Sequence, residues 1–119
     1  MVTLILLFLA GMFEGVMDTL QFHWSKFRLK HKKANSFFWS PELSWKNKYK
    51  DGQVYKGEKF FGSTTIFVGL TDGWHLMKLL KNICIFVGIF FCFEAWWIAP
   101  IAYAANRIGF NLVYKKYYK

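Results

Sequence analysis

Three long apolar blocks are set between polar stretches along this chain. The first runs from about residue 2 to 22 and contains no Lys or Arg. As a helix it would be roughly 30 Å long, matching the hydrocarbon core of a bilayer. The second spans about 60–80 and is interrupted by Thr71, Asp72, Gly73 and His75. The third spans about 83–101 and ends near Pro100. Between the first two blocks, residues 23–59 are polar, basic and rich in Trp, with Pro41, Gly52 and Gly57 as turn points. Beyond the third, Ala105, Ile108 and Leu112 recur at helical spacing, while Asn106, Arg107 and Asn111 need a wetter side. That tail, 102–119, reads as a short helix lying on the membrane surface. The pattern predicts an all-α membrane protein of one domain. It has three transmembrane helices, a basic aromatic loop between the first and second, and a C-terminal interfacial helix. A rival reading makes Phe60–Leu70 a re-entrant or interfacial segment and leaves two spans.

Composition strengthens the membrane reading. The chain has 119 residues, of which 55% are hydrophobic and 22% aromatic. So many aromatics would be hard to hide in the core of a soluble domain this small. Mean hydropathy is only +0.18 because the basic loop dilutes the apolar blocks. Net charge is +9, and residues 24–59 hold ten Lys/Arg against Glu42, Asp51 and Glu58. Arg107, Lys115, Lys116 and Lys119 make the tail basic too. Charge that flanks apolar spans points to the positive-inside rule rather than to nucleic acid. The loop is then cytoplasmic. With three spans the N-terminus is outside and the C-terminus cytoplasmic, as in a bacterial inner-membrane protein. Lys78 and Lys81, in the tight connection between spans two and three, are the exception. The N-terminus lacks the basic flank of a signal peptide, which predicts an uncleaved span. Cys84 and Cys92 lie about 12 Å apart along one helix, too far to bond each other.

Four of the seven acids fall inside the apolar blocks: Glu14, Asp18, Asp72 and Glu94. A carboxylate in hydrocarbon costs a few kcal/mol, so it faces a partner or a wet cavity. Gly11-Met-Phe-Glu-Gly15 and Gly69-Leu-Thr-Asp-Gly73 each place two glycines four apart beside an acid. Small residues at that spacing let helices approach closely, which predicts that Gly11/Gly15 pack on Gly69/Gly73. Glu14, Asp72 and Glu94 would then meet near mid-membrane, with His75 and Asp18 beside them. Glu14, Asp18, Asp72 and His75 form a set of hard oxygens and imidazole suited to a divalent metal. Asp72 and His75 are the candidate catalytic acid and base. Neighbouring buried acids also suit proton or ion handling. Alternatively, each acid is protonated or bonds a nearby Ser, Thr, Asn or Trp. In the loop, Trp39, Trp45, Lys46, Lys48 and Lys50 are candidates to hold a lipid headgroup. His31, in its Lys-rich run, reads as solvated.

Asp18-Thr-Leu-Gln-Phe-His23, Ser44-Trp-Lys-Asn-Lys-Tyr-Lys50 and Thr71-Asp-Gly-Trp-His75 resemble strings in a group of short bacterial integral membrane proteins without assigned activity. The resemblance covers about residues 11–80 and implies a membrane location but no reaction. No Ser-His-Asp grouping, phosphate-binding loop or dinucleotide fingerprint occurs. Two function classes are expected. One is a metal-assisted enzyme acting on a lipid or lipid-soluble substrate. The other is a non-enzymatic subunit of a larger membrane assembly, with lipids and other membrane chains, or copies of itself, as partners. Acids on a hydrated cavity favour the first. Locally bonded acids and an outward-facing aromatic surface favour the second.

Overall fold

The computed structural model describes residues 1–92, 97 and 99–118. The described chain is mostly helical, with no strand among the described residues, and α1 (Val2–Phe22) and α5 (Gly73–Cys92) are long and apolar enough to cross a membrane. Between them lie three short helices, α2 (Trp24–Lys30), α3 (Ser36–Trp39) and α4 (Pro41–Ser44), followed by turns. The last helix, α6, covers Ala99–Tyr118.

α1 is the central helix, packed on α5 along one side and on α6 along another. Gly88 of α5 lies over Leu6 and Leu7, and the Thr3 hydroxyl donates to the Gly88 carbonyl at 3.2 Å. At the other end, Lys81 faces Glu14. Numbers on α5 fall as those on α1 rise, so the two helices are antiparallel. α6 runs the other way, with Gly109 against Phe8 and Met12, and Val113 against Gly15. It is therefore parallel to α1. Asn106 donates its side-chain amide to the Leu7 carbonyl at 3.0 Å and fastens that contact.

The helix expected at 60–80 is not formed. Residues 60–67 are bends and turns, Val68–Leu70 is one turn of 3-10 helix, and the long helix begins at Gly73. The local reasons are readable. Gly62 sits at φ +75, outside helical space. The hydroxyl of Ser63 donates to the Lys48 carbonyl at 2.7 Å and ties the segment to the loop. Asp72 is the N-cap of α5, its Oδ1 accepting from the His75 backbone N–H at 2.9 Å. What reads as an interruption of a span is thus the start signal of a helix. Lys78 and Lys81 consequently lie inside α5, not in a connection between two spans. Pro100, expected to end a helix, instead occupies the first turn of α6, where its missing N–H costs nothing. The tail does not lie apart as an interfacial helix, because its small residues bring it onto α1.

The glycine pairing also differs from expectation. Gly11 and Gly15 face α6, not Gly69 and Gly73. Gly69 packs on Leu79 of its own neighbouring helix, and Gly73 sits over the Trp39 ring.

Beyond the bundle, Tyr49 and Glu58 form an isolated antiparallel bridge that folds the loop back on itself. Glu58 is exposed, and it accepts hydrogen bonds from the Thr64 hydroxyl and the Gly62 N–H. These bonds, the Thr64 one foremost, hold its carboxyl below the ordinary value of 4.5. A carboxylate lowered on folding stabilises the turn above its unfolded pKa, and the gain is lost as pH falls through the folded one. Amide exchange at Gly62 should therefore quicken as pH is lowered below about 4.5, after correction for intrinsic rates. Glu58→Gln should remove that pH dependence.

Candidate functional site

Asp72 is built into the junction where the loop enters α5. Only 2% of it is exposed. Its Oδ1 caps the helix, and its Oδ2 lies 2.7 Å from His75 Nδ1. The Thr71 hydroxyl approaches Oδ2 at 3.4 Å while donating to the Val68 carbonyl at 2.7 Å. The junction is braced from the loop by the Asn47 amide, which donates to the Thr71 and Phe37 carbonyls. His75 keeps about a quarter of its side chain exposed and stacks edge-on against Trp74. A cleft of about 210 Å³ opens here, lined by Gln21, Ser44, Trp45, Asp72, Trp74 and His75, with Pro41 at its edge. Chemically this is a carboxylate-oriented imidazole, the minimal acid–base pair. It is equally a helix cap, with the imidazole of the third helical residue bonded to the second carboxylate oxygen of the capping Asp.

The other expected members of the site are elsewhere. Glu14 lies further along the bundle, with Oε1 3.8 Å from Lys81 Nζ. Nine residues separate Asp72 from Lys81, roughly 13 Å along α5. Asp18 is within electrostatic reach of Glu14, Lys81 and Arg107. The acids of α1 thus face two bases, one from each flanking helix, rather than Asp72 and His75. Glu94 lies outside the described residues. Among the described residues no three His, Cys, Asp or Glu side chains gather as metal ligands would. Glu14, Asp18, Asp72 and His75 are two groups, not one set. His23 is directed instead to α6, with Nε2 3.1 Å from the Tyr114 hydroxyl.

The loop residues also divide. Trp39 packs with Phe27 at 5.8 Å between ring centres and lies under Gly73, so it belongs to the small core around Leu20 and Phe27. Trp45, Lys46 and Lys50 are exposed, with the Lys46 ammonium over the Trp45 ring. Lys48 is half-buried, its ammonium over Tyr49. Sequence reading missed Lys81, Asn106 and Arg107 as partners of α1. The signal was available, since each is a polar residue in a helix that packs on α1 once its helix is placed correctly.

The capping geometry gives a direct test. Asp72→Ala should lower stability by about 1–2 kcal/mol, as loss of an N-cap does, whereas Asp72→Asn keeps a capping oxygen and should cost less. Thermal unfolding in detergent would separate the two.

In comparisons with known proteins, no family model, no curated protein and no solved structure matches the chain.

Proposed function

We propose that this is a non-enzymatic multi-pass membrane protein, an accessory or structural subunit of a membrane assembly. The observation that supports it most is the local pairing of Glu14 and Asp72. Glu14 meets Lys81, and Asp72 is engaged by its own helix and by His75. Charges matched between helices hold a bundle together and, among the described residues, leave no convergent set of metal-ligating side chains. The outward surface fits the same reading. Phe86, Phe90 and Tyr103 are each about 70% exposed or more, as lipid-facing or partner-facing rings would be.

In this reading α6 is a third crossing, laid parallel to α1 by its glycine contact. The order outside-to-inside, back, and in again puts the loop and the basic tail on one side, as the positive-inside rule asks. Phe60–Leu70 becomes the re-entrant segment. It packs beside α5 as deep as Asn82, with Ile66 and Leu70 exposed. Cysteines placed at Lys50 and Lys116 should resist a membrane-impermeant label applied to intact cells, and one at Trp97 should react. Reaction at Lys116 but not Lys50 would reduce the protein to two crossings.

A second reading rests on the imidazole at the cleft. Asp72 would orient His75 as a general base toward a headgroup substrate, with Trp45 of the loop on the same cleft. Asp72→Asn decides between them in cells whose growth requires the protein. The subunit reading expects near-normal growth, because the cap survives. Loss of growth with normal protein levels would favour the enzyme.

A further inference from the structure

A cleft larger than the one at Asp72 lies away from both Asp72 and the Trp45 loop. It lies at the same end of the bundle, where the turn after α2 folds over the junction of α1 and α5. Its floor is apolar: Val16, Phe27, Trp39 and Met77. Its rim is basic: Lys30, His31, Lys32 and Lys33. Its volume is about 740 Å³, and among the described residues no Asp or Glu lines it. Val16 precedes the end of α1 by six residues, so the floor reaches about 9 Å below the level of Phe22. Val16 and Met77 belong to the two helices able to cross a membrane. The cleft therefore runs from the basic surface down the side of the bundle.

We propose that this cleft binds one anionic glycerophospholipid of the cytoplasmic leaflet. The phosphate would sit at Lys32 and Lys33, and an acyl chain would lie along Val16, Phe27 and Met77. Charge and depth carry the assignment together. A soluble polyanion needs the rim but not a floor continuous with membrane helices. A neutral lipid needs the floor but not the lysines. Lys30 already donates to the Lys116 carbonyl at 2.6 Å, so the anion falls to the two exposed lysines beyond it. Lys32 also borders a second cleft with Arg28 and Trp24, which adds positive potential behind the phosphate. The inference rests on the membrane reading above and adds a lipid class and a place to it.

The test uses the full chain purified in detergent, with phosphatidylglycerol or phosphatidylcholine added, and bound lipid counted by native mass spectrometry. Phosphatidylglycerol should be retained in preference. Each rim lysine near an anionic headgroup contributes about fivefold, so Lys32→Gln with Lys33→Gln should weaken retention roughly 25-fold. Both side chains are exposed, so folding should survive. Lys46→Gln with Lys50→Gln should change retention little. Ala34→Phe, which fills the cleft, should also weaken it, with folding checked by near-ultraviolet circular dichroism. Glycerol phosphate, a headgroup without chains, should not compete. Unchanged preference in the Lys32/Lys33 variant, equal loss in the Lys46/Lys50 variant, or full competition by glycerol phosphate would each overturn the proposal. Carbonate extraction of membranes tests the underlying reading separately. Release of the protein into the supernatant would remove that reading, whatever the lipid counts.

Discussion

Gly11→Ala should destabilise the protein, although the same change in most helix interiors is favourable by about 0.5–1 kcal/mol. A methyl at Gly11 would be driven into the Asn106 carbonyl and would stand 2.8 Å from the Phe110 backbone nitrogen. Backbone atoms cannot swing aside as a side-chain tip can. Gly109→Ala meets the reciprocal obstacle, the Phe8 carbonyl. Overpacking of a tight contact costs typically 1–3 kcal/mol, and here α6 must shift bodily, so about 3 kcal/mol is expected for either change. Gly88→Ala is the control. Its new methyl would find its nearest neighbour, Leu6 Cβ, at 3.7 Å, an ordinary contact. Thermal unfolding in detergent should show two strongly destabilised variants and one near wild type. A tolerated Gly11→Ala would mean that α6 does not lie on α1 in this register.

Lys81→Met should be the most damaging single change to a charge. It leaves Glu14, in a helix long and apolar enough to cross a membrane, without its base, and a lone charge near the centre of a membrane helix costs about 2.5–3.5 kcal/mol by insertion scales. Both side chains retain some exposure, 22% for Lys81 and 33% for Glu14, and the pair is loose at 3.8 Å, so about 1–3 kcal/mol is the expected loss. Two partner variants separate pairing from other roles. Glu14→Gln with Lys81→Met should recover most of the stability, because no charge is left unpaired. Glu14→Lys with Lys81→Glu should recover part of it and retain cellular function if the pair is structural. Non-additivity in this cycle is the measurement. Strictly additive losses would show that the two residues do not interact.

The first apolar block and its length were legible because an uninterrupted apolar run long enough to cross a membrane carries its own boundaries. The α1 boundaries follow directly from this, as Val2–Phe22 shows. The second helix was misplaced by about a dozen residues. Hydropathy treats Phe60–Leu70 and Gly73–Cys92 as one apolar territory, and only Gly62 and the Asp72 cap divide it. The cap was readable: Asp before Gly-Trp-His is a helix start. The error then spread to the site. With Lys78 and Lys81 assigned to a connection, the acids of α1 had no bases to meet, and Asp72 and His75 were the remaining polar choice.

By itself, the order of residues determined a helical chain, a first helix over 2–22 long and apolar enough to cross a membrane, and a concentration of positive charge in the loop and tail. These are local or additive properties, and a linear reading captures them. It also marked Gly11 and Gly15 as a place of close helix approach. Which helix approaches them was decided only in three dimensions, because a stripe of small residues fits any partner that presents another. Gly109 presented it, with Asn106 to fasten the contact. The fate of the acids was decided in the same way. Whether a membrane carboxylate becomes a site or a strut depends on what stands within a few ångströms, and that is a property of packing between helices far apart in the chain.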